Sequence, residues 1–117
     1  MNSNLKLSAE KALRRAYRET ERPIWRALRE AIEDASRSRL TRVNVGKINR
    51  LASDGDIVVV PGKVLGAGSV DKKLIVGALA FSAEARSKIK SAGGEALSIA
   101  ELVRAYPDAK GVKLIGG

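Results

Sequence analysis

With 117 residues but no cysteine and no histidine, the chain can bury a core of its own. It can form no disulfide, no thiolate or imidazole metal site and no histidine-based catalytic triad. Lys plus Arg outnumber Asp plus Glu by 22 to 13, a net charge of +9, and the excess is uneven: residues 1–50 carry 13 basic and 6 acidic residues, residues 51–117 carry 9 and 7. A basic half on a near-neutral body points to a polyanionic partner, nucleic acid first and an anionic membrane surface second. The plain alternative is a surface kept soluble by its cations. No apolar run reaches the roughly 20 residues of a membrane span, and MNSNLKLSAEK lacks the apolar stretch of a signal peptide. The expected location is the cytoplasm.

In chain order, Leu5 to about Thr20 reads as a helix rich in Ala, Leu, Arg, Glu and Lys, with Ala9, Leu13, Ala16 and Tyr17 on one face. Pro23 suits the first position of a second helix running to about Ala35. Its apolar face holds Ile24, Leu28, Ala31 and Ala35, with Trp25 and Ile32 at the edge. Trp25 is expected in the core rather than stacked on a base. Residues 36–42 (SRSRLTR) carry three arginines and no acid. Such a segment cannot bury itself, and extended Ser/Arg alternation can lay guanidiniums along phosphates. A plain linker is the alternative.

Residues 43–53 read as a short strand and one or two helical turns, with Val45, Ile48 and Leu51 inward, and with Asn44 and Asn49 placed to bond backbone or RNA. After the turn Ser53-Asp54-Gly55-Asp56 comes the stretch around which the chain is organised, IVVVPGKVLGAGSVDKK at 57–73. Ile57–Val60 is a β-branched run that reads as a strand buried on both faces, stopped by Pro61. A loop with glycines at 62, 66 and 68 follows, then a second buried run, Leu74–Leu79. Pro61 to Gly68 is longer than a hairpin loop requires, which predicts that Gly66 or Gly68 lets backbone approach a polyanion and tolerates valine. Ser82 caps a helix that ends at Gly93-Gly94, Glu95–Leu97 is a strand, and Ser98 with Glu101 forms a capping box. Val112–Ile115 is the last strand. Alternating short strands and helices make the class α/β.

Neither G-x-x-x-x-G-K-[ST] nor G-x-G-x-x-G is present, and no nucleophile sits with a base. Tyr17, Trp25, Phe81 and Tyr106 share no predicted strand, so a stacking sheet reader is disfavoured. Phosphate-dominated binding remains.

The runs RPIWRAL (22–28), VNVGKINRLA (43–52), VVVPGKVLGAGSVDKKL (58–74), FSAEAR (81–86) and AGGEALSIAELV (92–103) resemble one family. It is the archaeal and eukaryotic large-subunit ribosomal protein family called L-eighteen, related to the bacterial large-subunit protein L-fifteen; the archaeal form is the better match. The resemblance implies a non-enzymatic constituent of the large ribosomal subunit that binds ribosomal RNA. It implies a small C-terminal domain of strand-strand-helix turns (43–117) behind a helical, basic N-terminal extension (1–42). The implied RNA-facing residues are Arg37, Arg39 and Arg42, then Lys47 and Arg50, then Lys63, Gly66, Gly68, Lys72 and Lys73 in the loop. The implied partners are large-subunit ribosomal RNA and neighbouring ribosomal proteins, with no membrane, small-molecule substrate, metal or cofactor. A stand-alone RNA-binding module and a small nucleotide-dependent enzyme are the alternatives.

Overall fold

A computed structural model describes residues 3–37 and 41–116. Helix α1 (Ser3–Thr20) buries Ala9, Leu13 and Ala16 at the expected helical spacing. Glu21 follows in the left-handed region (φ 56), its N–H donating to the Tyr17 carbonyl at 2.7 Å, and the chain turns into α2 (Pro23–Arg37). The buried face of α2 is Trp25, Leu28 and Ile32. The face is thus rotated toward the two residues expected at its edge. Trp25 is fully buried, and its indole N–H donates to the Pro107 carbonyl at 2.9 Å, so the ring belongs to the core.

From Thr41 the chain winds in three coils. The first is β1 (Thr41–Asn44), α3 (Val45–Leu51) and β2 (Ile57–Val59). The second is β3 (Gly62–Leu65), a loop, and β4 (Ile75–Ala78). The third is β5 (Ala80–Phe81), α4 (Ala83–Ser91) and β6 (Glu95–Ser98). Helix α5 (Ile99–Ala105) and strand β7 (Val112–Leu114) complete the chain. All pairings are parallel. One sheet has the order β1-β3-β5, the other β6-β4-β2-β7. The fold is α/β with helices segregated by layer, as the alternation of short elements predicts. Strands β3 and β5 are not visible in that alternation: GKVL reads as loop, and AF is two residues long. The second apolar run also ends a residue early, at Ala78.

Two cores explain the layers. Between the sheets lie Val43, Val58, Val60, Val64, Val76 and Ala78 with Val45, Ile48, Ala85 and Ile89 from the connections. On the far side of the second sheet, Val59 with partly buried Ile57 and Ile75 meets α1, α2 and α5 through Leu13, Trp25, Leu28, Ile99 and Leu102. Strand β2 therefore alternates between two apolar cores, which is why its sequence is an unbroken β-branched run. The division expected between residues 42 and 43 falls inside β1, and the N-terminal helices share the second core with the coils. Leu51, expected inward, is 49% exposed; Ala52 takes the buried position. The capping box is present, with Ser98 Oγ accepting from Glu101 N–H at 3.1 Å and Ser98 N–H donating to Glu101 Oε1 at 2.9 Å. These bonds, the backbone N–H first, hold the Glu101 carboxyl below its ordinary value.

Candidate nucleic-acid interface

The middle coil has a loop where its neighbours have α3 and α4, and that loop is tied down from both sides. Asn44 Oδ1 accepts from Ala67 N–H at 3.2 Å, and Gly46 N–H donates to the Ala67 carbonyl at 3.0 Å. Asn49 Oδ1 accepts from the N–H groups of Asp71 (3.3 Å) and Lys72 (3.2 Å), while its amide donates to Asp71 Oδ1 at 2.8 Å. From α4, Lys88 Nζ donates to the carbonyls of Gly66 (2.6 Å) and Gly68 (2.8 Å) and pairs with Glu84 at 3.0 Å. The two asparagines thus bond backbone within the fold.

The same packing accounts for the glycines. Gly66 is buried, and a Cβ there would lie 2.7 Å from Glu84 Cβ. Gly68 has φ +96, and a Cβ on it would lie 2.5 Å from the Gly46 backbone. Missing side chains let α3 approach the loop backbone to backbone. The spare length inferred between Pro61 and Gly68 is occupied by β3, and Gly68 has no ordinary φ in which valine would be at ease. The reason for giving these glycines to a polyanion therefore falls away.

Two of the sequence-predicted lysines also face inward contacts. Lys72 Nζ donates to the carbonyls of Asn49 (2.6 Å) and Ala52 (2.7 Å), closing the C-terminal end of α3. An ammonium placed there satisfies carbonyls that the helix leaves unpaired. Lys47 Nζ donates to the Gly116 carbonyl at 2.9 Å.

Four predicted cations remain open. Arg42 on β1 and Lys63 on β3 are register partners, and the next pair, Val43 and Val64, points into the core. Alternation therefore sends Arg42 and Lys63 outward side by side, on strands about 5 Å apart. No carboxylate occurs in β1, β3 or β5. Arg50 on α3 and Lys73 in the loop are exposed, and no ion pair engages either side chain among the described residues. The Lys73 backbone N–H donates to Asp54 Oδ1 at 2.7 Å, which fixes the chain but leaves the ammonium outside. The Arg37 side chain and all of Arg39 lie outside the described residues.

The N-terminal helices, where residues 3–37 hold 9 basic and 6 acidic residues, look different. Arg15 pairs with Glu19 (3.0 Å), Arg26 with Glu30 (2.8 Å), and Arg29 with Glu33 (3.2 Å), each one turn apart. Glu30 and then Tyr17 raise the Arg26 pKa further. Among the described residues no group of three carboxylates could hold a metal ion, and no helix is long and apolar enough to cross a membrane. Lys88, Gly46 and Asp54 were not visible as loop partners. Each acts across roughly twenty residues, and nothing local in the sequence marks the contact.

Known proteins match this sequence over most of its length. The family model described as "Ribosomal proteins 50S-L15, 50S-L18e, 60S-L27A" matches residues 27–97. "Large ribosomal subunit protein eL18" of Pyrobaculum aerophilum is 48% identical over 114 residues, covering 97% of this chain and 92% of its own. The protein of the same name from Methanoregula boonei is 40% identical over 103 residues (88% and 84%). That from Archaeoglobus fulgidus is 44% identical over 95 residues (81% and 80%). The chain belongs to this ribosomal protein family, in its archaeal large-subunit branch.

Proposed function

We propose that the protein holds ribosomal RNA by its phosphates, through the outward row Arg42–Lys63 and the adjoining cations Arg50 and Lys73. As a family member it is a structural, non-enzymatic constituent of the large subunit of the archaeal cytoplasmic ribosome. The observation that carries the RNA reading is the pairing pattern. Arg42 and Lys63 sit in register on a sheet face without a carboxylate, whereas Arg15 of α1 and Arg26 and Arg29 of α2 are held by glutamates. An unpaired cation gains more from a phosphate, because no existing ion pair must be broken. The inward contacts of Lys72, Lys47, Gly66 and Gly68 favour a supporting role for them, holding the layer that presents Arg50 and Lys73.

The test is the salt dependence of binding to large-subunit ribosomal RNA. Converting Arg42, Arg50, Lys63 and Lys73 to alanine together should flatten the log–log slope by roughly 3, at about 0.7–0.9 per lost phosphate contact. A parent-like slope with parent-like affinity would overturn the assignment. Cosedimentation with large subunits at moderate salt separates this reading from an RNA-binding module that acts outside the ribosome.

A further inference from the structure

On the opposite side of the molecule, α1 and α5 enclose a groove of about 560 Å³, lined by one face of α1 from Ser8 to Glu19 and, across from it, by Ala100, Val103, Arg104 and Pro107. Its floor is made of small and apolar side chains from both helices. On α1 the lining residues fall at i, i+3, i+4, i+7, i+8 and i+11 from Ser8; Leu5 extends the same stripe by one turn, and Leu7 lies about 100° around the helix from Ser8. Both leucines are exposed, Leu5 at 43% and Leu7 at 57%. Lys11, Arg15 and Arg104 stand around the floor, with Glu19 as the one lining acid, already paired with Arg15. Neither Lys11 nor Arg104 has an ion pair among the described residues.

We infer that this α1–α5 groove docks a segment of a neighbouring protein that carries apolar side chains flanked by carboxylates. The combination selects the partner. An apolar strip with a charged margin is how protein interfaces are built, and a leucine on the surface gains nothing from a phosphate. Unpaired cations beside that strip call for anionic groups at its edge, and on a protein those are Asp and Glu. The RNA-facing row is separated from this groove by both sheets and both cores, so one RNA segment does not account for the two surfaces.

The full chain, carrying the photo-crosslinker p-benzoylphenylalanine in place of exposed Ser8, is assembled into large subunits and irradiated. The expected product is a crosslink to a protein peptide containing Asp or Glu beside apolar residues. The charge-reversed background K11E with R104E should lower its yield at least tenfold. A second copy with the crosslinker at Lys63 should crosslink to RNA, which tests the RNA face independently. The inference fails if position 8 crosslinks to RNA or to nothing. It fails equally if the captured peptide lacks acids, or if its yield ignores the charge reversal while the variant still incorporates and melts like the parent.

Discussion

The outer face of the β1–β3–β5 sheet and the outer face of the N-terminal helices are both basic, and they differ in what their cations touch. On the helices, Arg15, Arg26 and Arg29 each close on a glutamate one turn away. On the sheet, Arg42 and Lys63 lie side by side with no acid on any of the three strands. The loop between them and β4 holds a third kind, Lys72, whose ammonium rests on two helix carbonyls. Net charge by region points to residues 1–50 as a block, whereas the pairing of individual cations narrows that block to Arg42 and Arg50 and adds Lys63 and Lys73 beyond it. Charge density says that a partner exists; the neighbours of each cation say where it sits.

The sharpest way to break this picture is at Gly68. If the loop is a scaffold for the open cations, Gly68→Val should unsettle the whole coil. Positive φ costs a β-branched residue about 1–3 kcal/mol. Forcing its Cβ against the Gly46 backbone, at 2.5 Å, adds about as much again through overpacking. Urea denaturation should show a clearly lower midpoint, with RNA affinity lost in proportion to folded protein. An unchanged midpoint would return the glycine to the role of bare backbone awaiting RNA.

The glycines also show where the sequence stops being legible. Periodicity is enough for α1, and the alternation of Val58 and Val59 between two cores follows from the apolar run alone. Ser98 and Glu101 announce their own cap. These signals are local, or repeat at fixed spacing. Strand β3 gives no such signal. Its GKVL sequence has glycine at the first position and is stabilised by parallel pairing to β1, about twenty residues earlier, so its identity lies in the partner. The candidate site divides the same way. Arg42 is readable as a cation in an acid-free stretch, but Lys72 and Lys73 are adjacent and identical in sequence. Only the fold turns one inward onto α3 and the other outward.

That pair of fates can be tested directly. Lys72→Met removes two charge-assisted bonds from partly buried carbonyls and should destabilise by about 1–3 kcal/mol while leaving the RNA salt slope at the parent value. Lys63→Met should do the reverse: a stability change within about 0.5 kcal/mol, and a slope shallower by about 0.7–0.9. Exchange of these outcomes would mean that the inward and outward lysines have been assigned the wrong way round.

A smaller effect should come from Asp56, which ties the edge strand β7 to the second sheet through Lys113 at 2.7 Å. The Lys113 ammonium first, and then the Ser53 N–H, hold its carboxyl below the ordinary value. A depressed folded-state pKa contributes stability above the ordinary carboxylate value, and this is lost as pH falls through the folded-state value. Asp56→Asn should therefore melt below the parent at neutral pH, and the gap should begin to narrow below about pH 4 and close as the pH falls through the lower folded-state value. A gap that persists in strong acid would mean that the carboxylate's charge is not what anchors the strand.

The smallest expected effect bears on the comparison most directly, because it separates pairing from position. Glu30→Gln leaves Arg26 without its glutamate but moves no backbone. If pairing alone keeps the helix arginines from RNA, releasing Arg26 should steepen the salt slope by about one phosphate contact, 0.7–0.9. The layering argues otherwise. α2 lies beyond the second core, with Trp25, Leu28 and Ile32 packed toward the β2 strand, and its outward face points away from Arg42 and Lys63. The slope should stay at the parent value, and melting should change little, since exposed pairs one turn apart contribute weakly. A steeper slope would show that the helix face also reaches RNA and that its glutamates restrain it. The RNA surface would then wrap around the protein instead of stopping at the sheet.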